Sequence, residues 1–214
     1  MPGPVRRIAV LGDSLSDPSV GGGAYLAPVR EACGSHVEVR NFAKGGFMVN
    51  QMRRRFEREL LPHLREYSDL IVFGGVNDLY SDETAGRSLT KIQADLAYIY
   101  KAAKVHNVRV IALTVAPWGG FSRYFNERRA LTTERLNAWI RAQAEQGLVD
   151  RAIDTYALLA CNGTPVLCPE DAKPFKDGLH FGRAGHRKVG AALLSAAFSE
   201  CLPPAPSDGS NGSR

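Results

Sequence analysis

Val5-Arg6-Arg7-Ile8-Ala9-Val10-Leu11-Gly12-Asp13-Ser14 is the stretch whose reading decides the fold. Its apolar centre, Ile8 to Leu11, is partly β-branched and stops at Gly12, which predicts a short buried strand. Three more runs share that character: Val37 to Asn41, Leu70 to Phe73 and Val108 to Leu113. Val149 to Ile153 is a fifth, weaker candidate. Helical periodicity fills the intervals near residues 23–33, 48–66, 88–106 and 132–147, and a last helix is expected over 183–201. Strands alternating with helices predict an α/β fold, a three-layer α/β/α sandwich around a mostly parallel sheet of about five strands.

In a sheet of this flavodoxin-like kind, ligands bind beyond the carboxyl ends of the strands. Residues that do chemistry should therefore follow strands directly. Ser14 follows the first predicted strand, Gly45 and Gly46 the second, and Asn77 the third, while Asp177 and His180 precede the last helix. All of them fall on one rim. Two long connections, 116–131 with Trp118, Phe121, Tyr124 and Phe125, and 156–176 with Cys161 and Cys168, interrupt the rhythm. Long loops inside a domain are more often functional than idle.

The chain has 214 residues, enough for one sizeable core over 1–202, and the polar segment 203–214 is expected to be a disordered tail. No apolar run reaches the length of a membrane span. The formal charge of +5 permits attraction to anionic substrates or surfaces. The basic run 52–59 reads as the solvated face of a helix, because Phe56, Leu60 and Leu64 recur every four residues. No zinc pattern, helix-turn-helix or aromatic stacking platform accompanies it, so nucleic acid is not an expected partner.

Gly12-Asp13-Ser14-Leu15-Ser16-Asp17 resembles the first sequence block of the SGNH (GDSL) hydrolase family, the serine esterases and lipases. Asn41-Phe42-Ala43-Lys44-Gly45-Gly46 resembles the second, whose glycine lies five residues after an asparagine. Gly75-Val76-Asn77-Asp78 resembles the third, and Asp177-Gly178-Leu179-His180 the last. Singly these are short patterns; four in order at strand ends are specific. The resemblance implies a serine esterase with Ser14 as nucleophile, His180 as base and Asp177 as the anion that orients it. It further implies an oxyanion hole made by the Ser14 and Gly46 backbone N–H groups and the Asn77 amide, and neither a metal nor an organic cofactor.

The chemistry accounts for these residue types. A serine hydroxyl is a poor nucleophile until an imidazole accepts its proton in the transition state. The second ring nitrogen must be held by an anion that sets the tautomer and stabilises the imidazolium. Gly45 competes with Gly46 as a donor, and spacing from Asn41 favours Gly46. Asp13, Asp17 and Asp78 read as turn or cap residues bonded to local backbone, and Gly21-Gly22-Gly23 as a flexible edge of the cleft. His186, six residues after His180, lacks a companion ligand set for a metal.

The sequence departs from the family pattern at Phe47 and Met48, where a threonine is common at the latter position, and at Phe181, where proline often follows the histidine. Both departures are expected to touch the pocket wall. The expected substrate is a small-molecule, lipid or carbohydrate ester, with short-chain acyl or acetyl groups preferred because no long apolar lid is evident. An acyltransferase, lysophospholipase or thioesterase using the same triad is the near alternative. A non-catalytic ligand-binding module on the same sheet is the distant one. Nothing in the sequence speaks to oligomeric state.

Cys33, Cys161, Cys168 and Cys201 form no Cys-x-x-Cys pair. A disulfide is expected between Cys161 and Cys168, across a Pro- and Gly-containing loop, in preference to one between Cys33 and Cys201. The apolar stretch 8–11 is too short for a secretory leader and runs into the serine turn, which reads as cytoplasmic by default. The expected Cys161–Cys168 bridge argues instead for an oxidising compartment.

Overall fold

In the computed structural model, which describes residues 5–203, the predicted strands are β1 (Arg6–Gly12), β2 (Val37–Asn41), β3 (Asp69–Phe73), β4 (Arg109–Leu113) and β5 (Arg151–Ile153). The expected tail lies outside the described residues from 204 onward. All neighbouring strands pair in parallel, in the order β2-β1-β3-β4-β5. Gly12 stands beside Phe73, and Phe73 beside Leu113, so β1, β3 and β4 end nearly level along one rim.

The principal helices are α1 (Ala27–Cys33), α2 (Val49–Arg55), α3 (Val76–Tyr80), α4 (Leu89–Val105), α5 (Glu127–Glu145), α6 (Thr155–Leu159), α7 (Pro169–Ala172) and α8 (Arg183–Ala197). Successive side chains of a strand point to opposite faces, and the core divides accordingly. Ala9, Leu11, Leu70, Val72, Val110 and Ala112 pack on α2, α4 and α5 through Met52, Ile92, Leu96, Leu136 and Ile140. Ile8, Val10, Ile71, Phe73, Ile111 and Leu113 pack on α1 and α8 through Val29, Val189 and Leu193. Each such side chain contributes about 1.5–3 kcal/mol when fully withdrawn from water. That is why apolar runs of only four or five residues suffice to define the strands.

The basic run after Val49 behaves as its spacing predicts. Phe56, Leu60 and Leu64 are buried, while Arg53 pairs with Glu57 and Arg55 with Glu59 one turn on. The helix is not uniform: a π-helical turn, Phe56–Leu60, follows α2 and a 3₁₀ segment, Leu61–Glu66, ends it. Pro62 has no N–H for the carbonyl four residues back, so the α pattern cannot continue there.

Four helices start or exist where periodicity did not place them. α5 begins at Glu127, ahead of the predicted 132, because the Asn126 side chain caps it by accepting the Arg129 N–H at 3.0 Å. The aromatic connection shortens as a result. α3, α6 and α7 are too short to show a repeat of apolar residues.

Cys161 and Cys168 are disulfide-bonded, and an antiparallel bridge between Ala160 and Leu167 closes the same loop. Cys33 and Cys201, the less favoured pair in the sequence, are also bonded. They are 168 positions apart, and only the packing of α1 beside the 3₁₀ turn Ser199–Cys201 after α8 brings them together. Removing the short-loop bridge with Cys161→Ser and Cys168→Ser is expected to lower the unfolding free energy by about 2–3 kcal/mol, the chain-entropy value for so short a loop. Urea denaturation of oxidised protein measures it, and an unchanged midpoint would show that the bridge does not constrain the chain.

Candidate active site

The serine turn is built by Asp13. Its main-chain carbonyl accepts the N–H groups of Ser16 and Asp17 at 3.1 and 3.0 Å, and its carboxylate accepts the Leu15 N–H at 3.0 Å. Ser14 is thereby held at the tip of a tight turn directly after β1. Asp17 caps the next turn through the Ser19 N–H at 2.9 Å and takes the Gly45 N–H at 2.8 Å, which ties the loop after β2 to the serine loop. Asn41 adds a second tie, donating to the Ser16 carbonyl at 2.8 Å. Gly21-Gly22-Gly23, at the edge of the site, is tied back to the serine turn: the Gly22 and Gly23 N–H groups bond the carbonyls of Asp17 and Leu15, both at 2.9 Å.

These bonds separate the two candidate glycines. The Gly45 N–H is spent on Asp17, whereas among the described residues the Gly46 N–H has no protein acceptor. Gly46 has φ +78°, a backbone conformation open to glycine and costly for other residues. Asn77 lies in α3, almost fully buried, and gives one amide hydrogen to the Phe47 carbonyl at 2.8 Å. An amide has two such hydrogens, so the second remains for a ligand. Asn77 and Gly46 both line the cleft beside Ser14.

Ser14 Oγ is 2.8 Å from His180 Nε2, and His180 Nδ1 is 2.7 Å from Asp177 Oδ2. The other carboxylate oxygen, Asp177 Oδ1, accepts the backbone N–H groups of Leu179 and His180, each at 2.9 Å. Partial burial works to raise the Asp177 pKa, but the bonds from the His180 backbone and ring and from Leu179 N–H outweigh it and hold the carboxyl below its usual range. Gly178 makes this short turn feasible: it has φ +72°, and a Cβ there would collide with the backbone of Gly120. A hydroxyl bonded to an imidazole that is in turn held by a carboxylate is a proton-transfer relay of the kind that activates a nucleophile.

The cleft has a volume of about 400 Å³. Its apolar walls are Val20, Tyr80, Phe175 and Leu179, none of which the sequence reading singled out. The available signal was position: Tyr80 lies three residues after Asn77, and Phe175 two before Asp177. Tyr80 is backed by Phe121 and Tyr124, with ring centroids 5.6 Å away in each case. Only these two aromatics of the long connection stand behind the cleft. Trp118 is fully buried, donates to Thr133 Oγ1 at 3.0 Å and packs edge-on with Phe125 as core.

The two departures from the family pattern do not line the cleft as expected. Phe181 is buried against Phe73 and His186, and Met48 begins α2, its N–H bonded to Gln51 Oε1 at 2.9 Å. His186 also packs on Tyr25, and burial pushes its imidazole down to about 4, so it is a neutral core group. Asp78 is not bonded to local backbone alone. Its carboxylate takes the Val49 N–H at 2.8 Å, 29 residues away, and Arg87 Nε at 2.6 Å.

Burial pushes the Asp13 carboxyl up to about 7, against the Leu15 N–H and with the nearby Asp78 charge adding to the rise. The unfolded chain releases this proton near the ordinary carboxylate value of about 4. Between the two values the folded protein binds more protons, so this contribution to stability is full below pH about 4 and is lost as pH rises through about 7. Asp13→Asn removes the titration. The melting temperature of the variant relative to the parent is therefore expected to be more favourable at pH 8 than at pH 5. Equal differences at both pH values would show that Asp13 ionises as freely in the folded protein as in water.

The sequence description of the GDSL-like lipase/acylhydrolase family matches residues 10–188. The sequence matches no curated protein. Similar solved structures include the lipase/acylhydrolase from Enterococcus faecalis, 20% identical, covering 94% of this chain and 100% of that one with a TM-score of 0.71. A GDSL-like lipase from Bacteroides thetaiotaomicron is 18% identical over 94% of this chain and 93% of its own, with a TM-score of 0.74. A variant of an acetyl-xylooligosaccharide esterase from Geobacillus stearmophilus is 18% identical over 95% of this chain and 99% of its own, with a TM-score of 0.75.

Proposed function

The chain belongs to the GDSL-like lipase/acylhydrolase family, hydrolases acting on ester bonds, and we propose that it cleaves short-chain acyl esters, acetyl esters foremost, with Ser14 as nucleophile. The observation that carries this reading is the unbroken relay Ser14–His180–Asp177, with bonds of 2.8 and 2.7 Å, opening into the cleft beside Gly46 and Asn77.

In the first step Ser14 Oγ attacks the ester carbonyl while its proton passes to His180 Nε2. Asp177 keeps the other proton of the ring on Nδ1 and stabilises the imidazolium. Negative charge grows on the carbonyl oxygen, which the N–H groups of Ser14 and Gly46 and the free amide hydrogen of Asn77 receive. His180 then returns the proton to the departing alkoxide, leaving an acyl group on Ser14. Water repeats the sequence in reverse order and releases the acid.

The small open cleft favours a short acyl group. Val20, Phe175 and Leu179 offer apolar contact, and the Tyr80 ring, backed edge-on by Phe121 and at a tilt by Tyr124, offers an aromatic wall against which a sugar ring can rest. The name of the Geobacillus protein, an acetyl-xylooligosaccharide esterase, agrees with this substrate class. A fluorophosphonate that reacts with activated serines, followed by peptide mapping, tests the nucleophile, and label is expected on Ser14. A panel of p-nitrophenyl esters of increasing chain length tests the acyl group, with turnover expected to be highest on the acetyl ester and to fall as the chain lengthens. Absence of label on Ser14 would overturn the catalytic reading in favour of a binding module.

A further inference from the structure

Asn77 and Asp78 together grip the loop that carries Gly46. The Asn77 amide holds the Phe47 carbonyl and the Asp78 carboxylate holds the Val49 N–H, each at 2.8 Å, so Met48 is bracketed by two bonds to α3. Asp78 is fully buried, a costly place for a carboxylate without a partner. Its partner is Arg87, only 8% exposed, whose Nε donates to Asp78 at 2.6 Å and whose terminal nitrogen donates to Asp95 Oδ2 at 2.7 Å. Asp95 is shared with Arg53 at 3.2 Å. The fork geometry of a guanidinium allows one side chain to serve both carboxylates.

We propose that Arg87 is a positioning residue for the oxyanion hole: by holding Asp78 as the anion that grips Val49, it sets the place of the Gly46 N–H and of Asn77. This rests on the esterase reading of the same cleft. Arg87 makes no contact with the serine relay and lines a separate cavity of about 430 Å³ with Asn50, Arg53, Lys91 and Asp95. Its influence on the reaction passes only through Asp78.

Four measurements test this. In Arg87→Ala, kcat on p-nitrophenyl acetate is expected to fall about tenfold while KM changes less than about twofold, because a displaced oxyanion donor weakens the transition state and not ground-state binding. Methylguanidine, which fits the adjoining cavity, is expected to restore part of the lost kcat. In an Asn77→Ala background, Arg87→Ala is expected to cost much less than it does alone, since both act on one donor set. Hydrogen exchange of the segment 47–52 is expected to speed up in Arg87→Ala whether or not the protein cleaves any ester, so this readout stands even if the esterase reading fails.

Parent-like kcat in folded Arg87→Ala would overturn the proposal, as would a loss confined to KM, full additivity with Asn77→Ala, or unchanged exchange at 47–52. Should Arg87→Ala not fold, Arg87→Lys serves: it keeps the charge but cannot bridge both carboxylates, and kcat is expected to fall about threefold. Parent-like kcat and exchange in Arg87→Lys would equally overturn it.

Discussion

Ser14→Ala is expected to lower kcat/KM for an ester substrate by at least about a thousandfold while leaving the fold intact. The side chain is half-buried and, among the described residues, its hydroxyl bonds only His180, so truncation leaves no buried polar group stranded in the core. The loss is chemical: without Oγ there is no acyl-enzyme, and what remains is water attack assisted by the oxyanion donors. His180→Ala should cost about as much, because the hydroxyl is reactive only when its proton has somewhere to go. The double variant should be hardly worse than either single one, since the two groups act as a unit. Ester hydrolysis with matched circular dichroism spectra makes the comparison. Retention of more than about a tenth of the parent rate in Ser14→Ala would sink the proposed mechanism.

Asn77→Ala is expected to lower kcat by about a hundred- to a thousandfold, equivalent to about 3–4 kcal/mol of transition-state stabilisation, with KM nearly unchanged. The selectivity for kcat follows from where the charge is. A neutral ester carbonyl gains little from a third donor, whereas the tetrahedral oxyanion gains much. Steady-state kinetics on one good ester separate the two parameters. The substitution also frees the Phe47 carbonyl, so a thermal melt should accompany the kinetics. If the main effect were a raised KM, Asn77 would be a substrate-binding residue, and the proposed oxyanion hole would lose its side-chain member.

Much of the molecule was legible because it is governed by short-range rules. The strand at Ile8 to Leu11 needs only four apolar residues and a glycine stop, and the other strands repeat that logic. The five-strand parallel sheet follows from alternation with helices, whereas its order, β2-β1-β3-β4-β5, is set by the tertiary packing. Ser14, Asn77 and His180 stood out as candidates because strand ends in such a sheet collect chemistry on one rim, and their neighbours resemble four family blocks in order. Asp177 was legible for a more local reason: three residues and a glycine are enough to fold a carboxylate back onto an imidazole.

Other features escaped the reading because their causes lie far away in the chain. Spacing from Asn41 favoured Gly46 over Gly45, but the cause that leaves the Gly46 N–H free, the hold of Asp17 on Gly45, lies 28 positions upstream of Gly45. Asp78 looked like a turn residue until packing brought Val49 and Arg87 against it. The Tyr80 wall is backed by Phe121 and Tyr124, more than forty positions away, just ahead of the early start of α5 at Glu127. The Cys33–Cys201 bridge joins positions 168 residues apart. Apolar period and turn chemistry act within a few residues, so the sequence by itself determined the elements, their order along the chain and the residues on the rim. Which donors are left free and which charges meet are settled only when the two helical layers close on the sheet, because those hydrogen bonds and ion pairs join segments whose separation in sequence carries no local signal.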